Sequence, residues 1–233
     1  MSLDPGRSRA QRLLDGVGGQ LYARGTLIVL QIVAVPLLIS AWGVGQYGAW
    51  LALTAFAGVA SNANFGVLNA FAVEINTIGP TGDARRLRDA IHTADLMLGL
   101  LLGPVLALMC AAGWALPVGI WLKLEGIGRP EILQILLLAS VQIGADNLRA
   151  VSAAVIVGRG RYGLPNLVAG TLRLTEIAAL AVLVLVFDGT IVGAAMIGAA
   201  GALLNLLLHR AIARSMMGSA HSGDRRFDRG LVR

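Results

Sequence analysis

Long apolar segments constrain this chain more than any other feature of its sequence. A helix needs about 20 mostly apolar residues to cross the hydrocarbon core of a bilayer. Six segments are of that order, at residues 25–42, 49–75, 92–115, 132–157, 164–187 and 188–209. Only 14% of the residues are charged, against about 25% in soluble domains, and the mean hydropathy is +0.74. The sequence therefore predicts an all-α polytopic membrane protein with six transmembrane helices.

The Lys and Arg residues fall almost entirely on one side of these segments. The N-terminal tail carries four, the loop after the second segment three, the loop after the fourth two and the C-terminal tail six. The alternate loops carry only Lys123 and Arg129. Because basic loops are retained in the cytoplasm, we expect both termini to lie there. The net charge of +6 is then explained by topology, and no basic stripe with aromatic residues indicates a nucleic-acid partner.

The segments outside the apolar runs complete the domain organisation. Residues 1–24 combine apolar residues at helical spacing, such as Leu14 and Leu21, with basic residues such as Arg12 and Arg24. This pattern is typical of an amphipathic interfacial helix. We therefore expect a cytoplasmic amphipathic segment at 1–24, a six-helix transmembrane lobe at 25–212 and a basic cytoplasmic tail at 213–233.

No pattern indicates covalent chemistry. Gly158, Gly160 and Gly163 match G-x-G-x-x-G, but a dinucleotide loop needs a preceding strand, and apolar helical segments flank this one on both sides. We interpret it as a sharp turn. The sequence contains neither a P-loop lysine motif nor a serine nucleophile elbow, and its three His residues are scattered. We expect no catalytic residue, no cofactor and no metal.

Charged side chains inside the predicted helices are the most informative residues. Asp146 and Arg149 are three residues apart in the fourth span, as are Arg173 and Glu176 in the fifth, so each pair shares one helix face. Both arginines lie about 14–15 Å from the intervening turn, near the bilayer centre. Charges at that depth are costly unless paired or hydrated. Either two ion pairs lock the fourth span to the fifth, or the four groups line a polar substrate cavity.

Three amides in the first two spans form a weaker set of candidates. Gln31, Asn62 and Asn64 lie in predicted apolar helices. Such amides either hydrogen-bond to neighbouring helices or contribute to the same cavity. By contrast, Glu74, His92 and Asp95 lie close to helix ends, where we expect an interfacial position.

Short motifs resemble those of a known transporter family. Residues 43–50 read Gly-Val-Gly-Gln-Tyr-Gly-Ala-Trp, similar to the L-G-x-x-x-Y-G-x-W entry to the second helix of bacterial polysaccharide flippases. These proteins belong to the multidrug/oligosaccharidyl-lipid/polysaccharide superfamily. Residues 64–67, Asn-Phe-Gly-Val, resemble the family's D-L-G-L segment, with Asn64 in place of the acidic residue. The six-span spacing and the Arg-bearing turn after the fourth span also fit.

The resemblance implies a fold and an activity. Family members carry two six-helix lobes around a central cavity, so this chain resembles an N-terminal half whose partner is the missing C-terminal lobe or a second copy. The implied activity is non-enzymatic flipping of a lipid-diphosphate-linked oligosaccharide across the bacterial inner membrane, for cell-envelope or exopolysaccharide biosynthesis. A multidrug exporter of the same superfamily, a membrane-embedded enzyme of envelope glycan synthesis and a nonfunctional remnant are the alternatives.

Overall fold

The computed structural model describes residues 9–64, 66–78, 84–122, 124, 127–187 and 189–227. Several sequence-based predictions lie outside these residues. They concern Phe65 of the 64–67 motif, Lys123 of the loop between the third and fourth segments, Asp188 at the sixth span, and the chain ends at 1–8 and 228–233.

The described residues form α-helices and no strands, which confirms the all-α prediction. The helices are α1 (Arg9–Ser61), α2 (Val67–Ile78), α3 (Ala84–Ala115), α4 (Val118–Trp121), α5 (Arg129–Gly158), α6 (Leu164–Phe187) and α7 (Ile191–Phe227). Within α1, α3, α5, α6 and α7 lie five helices long and apolar enough to cross a membrane. The chain is therefore a multi-pass membrane protein.

A bend at Gly43 divides α1 into two halves. Gly43 has φ 74° and ψ 168°, a backbone conformation that only glycine adopts readily. Leu30 and Gly58 line the same cavity, although 28 residues of straight helix would separate them by about 42 Å. The rings of Trp42 and Trp50, on either side of the bend, are 6.3 Å apart. The chain therefore turns back at Gly43, and the two halves of α1 lie side by side.

The predicted helix at 49–75 is interrupted, which corrects that prediction. Helix α1 ends at Ser61 and α2 begins at Val67, with Gly66 at φ 82° between them. The Ser61 hydroxyl donates to the Gly58 carbonyl, and the Asn64 side-chain oxygen accepts from the Gly66 N–H. Such side chains compete with the backbone for hydrogen bonds, so they favour a turn over a continuous helix.

The other predicted boundaries agree to different degrees. Helix α6 has the predicted bounds, and α5 starts three residues before the predicted 132–157 and ends one residue after it. Helix α3 begins at Ala84, so the predicted loop at 76–91 is largely helical, and α7 continues 18 residues beyond position 209. Hydropathy marks where apolar sequence ends, whereas a helix can extend beyond it into the polar interface.

Helix α5 occupies the centre of the lobe. It contacts α1, α2, α3, α6 and α7. One buried cluster surrounds its first half, with Leu53 and Leu136 fully buried. A second surrounds its last turns, where Val155 and Ile156 pack against Ile75. Lipid is as apolar as leucine, so close packing rather than withdrawal from water holds such helices together.

Most of the basic segments meet at one end of the lobe, which we call the basic end. Gly163, in the α5–α6 turn, approaches the backbone of Asp15 and Gly19 so closely that a side chain would clash. Arg159, in the same turn, donates to the Met216 carbonyl of α7 at 3.2 Å. Since Gly160 there has φ 81°, the glycine motif forms a turn, as predicted.

The remaining turns meet at the opposite end. Trp42 donates its indole N–H to the Gly189 carbonyl at 2.6 Å, which ties the bend in α1 to the α6–α7 turn. Gln46, Ile127 and Thr190 line one small cavity there. The segments that the charge count assigned to two sides of a membrane thus group at two ends of the lobe.

Candidate functional site

Two ion pairs lie within single helices near the middle of the lobe. Arg173 donates from Nη1 to Glu176 Oε2 at 2.8 Å. Arg149 Nε lies 3.5 Å from Asp146 Oδ1 and makes no hydrogen bond. The three-residue spacing predicted this sharing of a face. Because neither pair joins α5 to α6, the interpretation of two ion pairs that lock these helices together is wrong.

All four charged residues line one cavity of about 400 Å³, which we call the polar cavity. It lies between the first half of α1 and helices α5, α6 and α7. Its other polar lining residues are Thr26, Gln142 and Asn205. The charges of α5 and α6, predicted to lie at matching depth, thus line a single cavity.

A second cavity of about 710 Å³, the large cavity, adjoins the polar cavity. Both halves of α1 line it together with α5, α6 and α7. Its lining is mostly apolar, and includes Leu30, Leu38 and Leu180. Four residues line both cavities: Gln142, Asp146, Arg173 and Glu176. These side chains therefore stand at the boundary between a polar and an apolar space.

The structure divides the three candidate amides. Gln31 lines the large cavity. Asn64 lies beside it, since its side-chain amide donates to the Asn147 oxygen at 3.3 Å and Asn147 lines that cavity. Asn62, in the turn after α1, is exposed, lines neither cavity and donates to the Gly58 carbonyl of α1. The lobe thus brings six of the seven candidates together and leaves Asn62 apart.

Two glycines of α7 make room for the polar side chains. A Cβ atom added at Gly201 would collide with the Glu176 carboxylate, and one added at Gly198 would lie 3.1 Å from the Gln142 side-chain oxygen. Glu176 is consequently well buried, with 13% of its side chain exposed. The small residues of α7 therefore allow charged groups of neighbouring helices to sit inside the lobe.

Sequence reasoning missed two polar residues on α7. Asn205 and His209 are four residues apart, so they share a face, and both are buried. The His209 ring nitrogen Nδ1 lies 2.9 Å from the Asn205 carbonyl oxygen. A signal was available, because both interrupt the otherwise apolar stretch at 202–209.

Another ion pair joins two helices toward the basic end. Arg210 of α7 donates to Asp95 of α3 at 2.8 Å, and their side chains are 32% and 24% exposed. By contrast, the Arg86–Glu74 pair, between α3 and α2, is 60% and 46% exposed. Asp95 thus has a structural partner inside the lobe, while Glu74 lies at its surface.

The remaining reactive side chains form no cluster. Within the described part of the chain, no three His, Cys, Asp or Glu side chains are placed to hold a metal ion. The half-buried Cys110 lies 3.4 Å from the Ser140 hydroxyl.

Comparisons with known proteins identify no relative: no family model, curated protein or solved structure matches the chain. The geometry of the two cavities is therefore the basis for a functional proposal.

Proposed function

We propose that this chain is one lobe of a membrane transporter that moves a lipid-linked oligosaccharide from one leaflet to the other. The observation that carries the proposal is the boundary between the two cavities, where Asp146, Arg173 and Glu176 face both spaces. A lipid-linked saccharide has the same division, with an apolar chain and a polar, anionic head. The large cavity suits the chain, and the polar cavity with Arg149 and Arg173 suits the head.

The cavity volumes are those of small-molecule binding sites, so they suit the head group and part of the apolar chain. Binding sites for small molecules commonly measure about 300–1,000 Å³, with mostly apolar walls and a few polar groups. Both cavities, at about 400 and 710 Å³, fall in that range. Intramembrane charges also commonly mark substrate pathways. The two within-helix ion pairs leave room for a phosphate to replace a carboxylate as the partner of an arginine.

The topology that fits this function has six crossings. The bend at Gly43 turns α1 into two crossings, and α3, α5, α6 and α7 provide four more. The basic end faces the cytoplasm in this arrangement, because that end carries the arginine-rich segments.

Cysteine labelling tests the orientation. Cys110 is the single cysteine of the chain, so Cys110→Ser supplies a background for exposed probes at Arg161, in the basic end, and Gly45, at the opposite end. A membrane-impermeant thiol reagent applied to intact cells is expected to label Gly45→Cys and not Arg161→Cys. The reverse labelling would overturn the orientation.

A partner completes the transport path in this proposal. The side chains of Asp146 and Arg173 are 46% and 38% exposed, so part of the charged boundary faces outward. In a bilayer such a surface is costly unless covered. A second copy or a second lobe would cover it, and the chain alone is then expected to form dimers or larger assemblies in mild detergent. A monomer that by itself restores glycan export in a flippase-null strain would contradict this.

One observation favours a second candidate, export of cationic drugs. Tyr47 and Trp50 line the large cavity together with two carboxylates, Asp146 and Glu176. Aromatic faces attract organic cations, and a carboxylate supplies the counter-charge. The two candidates differ in which residues the ligand needs.

Binding to purified chain in nanodiscs separates the two candidates. An undecaprenyl-diphosphate-linked oligosaccharide and ethidium serve as the two probes. We expect the Arg149→Gln/Arg173→Gln variant to lose the lipid-linked oligosaccharide. The exporter proposal replaces the flippase proposal under two conditions. The unchanged chain must fail to bind the lipid-linked oligosaccharide, and the Asp146→Asn/Glu176→Gln variant must lose the ability to bind ethidium. Binding of neither probe contradicts both.

A further inference from the structure

Buried polar atoms without partners point to a specific ligand group in the polar cavity. Asn205 is only 9% exposed, and its side-chain oxygen Oδ1 is buried with no hydrogen-bond partner. The Nε atom of Arg149 is also buried and also lacks a hydrogen bond. Both residues line the polar cavity. An acceptor and a donor are therefore left unused at the edge of one cavity.

Buried polar groups are nearly always hydrogen-bonded, and an orphaned one destabilises the protein. Neighbouring protein groups form no hydrogen bond with Asn205 Oδ1 or Arg149 Nε. Asp146 is 3.5 Å from Arg149 Nε without forming a hydrogen bond, and the described backbone around Asn205 is helical. A ligand that supplies both a donor and an acceptor would satisfy Asn205 and Arg149 together.

The chemistry of the two atoms selects the ligand. An ionised phosphate oxygen can accept from Arg149 but carries no hydrogen to donate to Asn205 Oδ1. A hydroxyl group does both, since it donates one hydrogen and accepts through its lone pairs. Adjacent hydroxyls on a sugar ring present such groups side by side. Sites built to bind hydroxyls discriminate strongly against ligands that lack them, because the unpaired protein groups remain buried.

We infer that Asn205 and Arg149 form a sugar-hydroxyl subsite in the polar cavity, separate from the Arg173–Glu176 pair at the boundary of the two cavities. Arg173 is the residue placed to meet the anionic linkage, whereas Asn205 recognises the saccharide. The inference rests on the proposed function and adds to it the residue that distinguishes a sugar head group from a bare phosphate.

Native mass spectrometry of the purified chain with three lipids of equal acyl chains tests the subsite. Glucosyl diacylglycerol offers hydroxyls without charge, phosphatidic acid offers phosphate without sugar, and the 3-O-methyl ether of diacylglycerol offers neither a hydroxyl nor a phosphate. Asn205→Leu is expected to weaken binding of the glucosyl lipid at least fivefold and to leave phosphatidic acid unchanged. Arg149→Gln is expected to weaken both. Free methyl glucoside, added as a competitor, shows whether the sugar binds without its lipid.

A stability measurement separates recognition from a structural role. Leucine has nearly the shape of asparagine and removes the orphaned oxygen, so Asn205→Leu is expected to raise the melting temperature while it lowers glucosyl-lipid binding. Asn69→Leu is the matched control, since Asn69 is exposed on α2 and lines neither cavity. It is expected to leave binding unchanged.

Three outcomes overturn the subsite. In the first, Asn205→Leu binds the glucosyl lipid as well as the unchanged chain does. In the second, it loses phosphatidic acid binding as much as glucosyl-lipid binding. In the third, its melting temperature falls enough to account for the lost binding. If the lipid-linked oligosaccharide binds independently of Asn205, the subsite fails and the proposed function stands. If glucosyl-lipid binding depends on Asn205 but the lipid-linked oligosaccharide does not bind, the subsite stands and the proposed function fails.

Discussion

The Arg173–Glu176 and Asp95–Arg210 ion pairs have the same 2.8 Å distance but different architecture. Arg173 and Glu176 belong to one helix and line a cavity. Asp95 and Arg210 belong to different helices, α3 and α7, and neither lines the polar or the large cavity. A pair between helices fixes their relative position, whereas a pair within one helix cannot. The Asp95–Arg210 pair therefore stabilises the lobe, while the Arg173–Glu176 pair is free to contact a ligand.

Exposure alone does not separate the two pairs, because the Glu176 side chain is 13% exposed and the Asp95 side chain 24%. The Asp95 atom Oδ1 is buried without a hydrogen bond even when Arg210 is present. Loss of Arg210 would leave the Asp95 carboxylate, whose side chain is only 24% exposed, without its arginine. Arg173 differs because it lies at the boundary of two cavities, where a ligand or water can take its place beside Glu176.

The largest predicted effect follows from removal of Arg210. Breaking a buried ion pair by removing one partner costs about 3–5 kcal/mol, and the partial exposure of this pair should reduce that to about 3 kcal/mol. We expect Arg210→Gln to lower the melting temperature in detergent and the amount of protein in the membrane. Asp95→Asn/Arg210→Gln should recover most of the loss, because no charge is left unpaired.

The exposed pair between α2 and α3 supplies the control for that experiment. Arg86→Gln removes an arginine from a pair whose side chains are 60% and 46% exposed. Surface pairs contribute about 0–1 kcal/mol, so its melting temperature should change little. If Arg86→Gln lowers the melting temperature as much as Arg210→Gln does, the Arg86–Glu74 and Arg210–Asp95 pairs do not differ in their contribution to stability.

A smaller effect is predicted at Arg173. Arg173→Ala leaves Glu176 without its partner, at a cost of about 1–2 kcal/mol, because a hydrogen-bonded charge becomes unpaired. Addition of Glu176→Gln should restore the melting temperature, whereas addition of Asp146→Asn should not, since Asp146 pairs with Arg149. Thermal unfolding of the single and double variants measures the coupling. Rescue by Asp146→Asn instead would mean that Arg173 of α6 also pairs with Asp146 of α5.

The smallest predicted effect tests the space around Glu176. Gly201→Ala places a methyl group where the Glu176 carboxylate lies. The Cγ and Cδ atoms of Glu176 would also clash, so its flexible side chain must shift as a whole, and we expect a loss of about 1 kcal/mol, at the low end of overpacking effects. Gly99→Ala is the control, since a Cβ atom there meets no other atom within 4 Å. Equal melting temperatures in the two variants would show that Glu176 does not rely on this space.

Some of the site could be predicted from the sequence because spacing along a helix is regular. The three-residue separation put Arg173 and Glu176 on one face, and the equal distances of Arg149 and Arg173 from the α5–α6 turn put them at one depth. The Arg173–Glu176 ion pair confirms the first prediction, and both arginines line the same cavity. The partner of Asp95 was not predictable, because Arg210 is 115 residues away.

The interruption between α1 and α2, near residue 64, shows a different limit of prediction from the sequence. Hydropathy treated residues 49–75 as one apolar segment, although Asn62, Asn64 and Gly66 lie within it. Each of these residues can appear inside a membrane helix when neighbouring helices satisfy its groups. Here the Asn64 side chain donates to Asn147 of α5 and also accepts from the Gly66 N–H, which stabilises a turn. Only the neighbouring helix decides between these outcomes.

The sequence by itself determined that the chain lies in a membrane and that its charged segments alternate, and it predicted that four costly charges share one depth. These properties depend on composition and on the 1.5 Å rise per residue. The tertiary structure decided which helices are neighbours and how each is rotated about its axis. That rotation brought Asn205 to the polar cavity and Arg210 to Asp95. Helix rotation depends on packing against neighbouring surfaces, and lipid-facing and protein-facing sides of a membrane helix are similarly apolar.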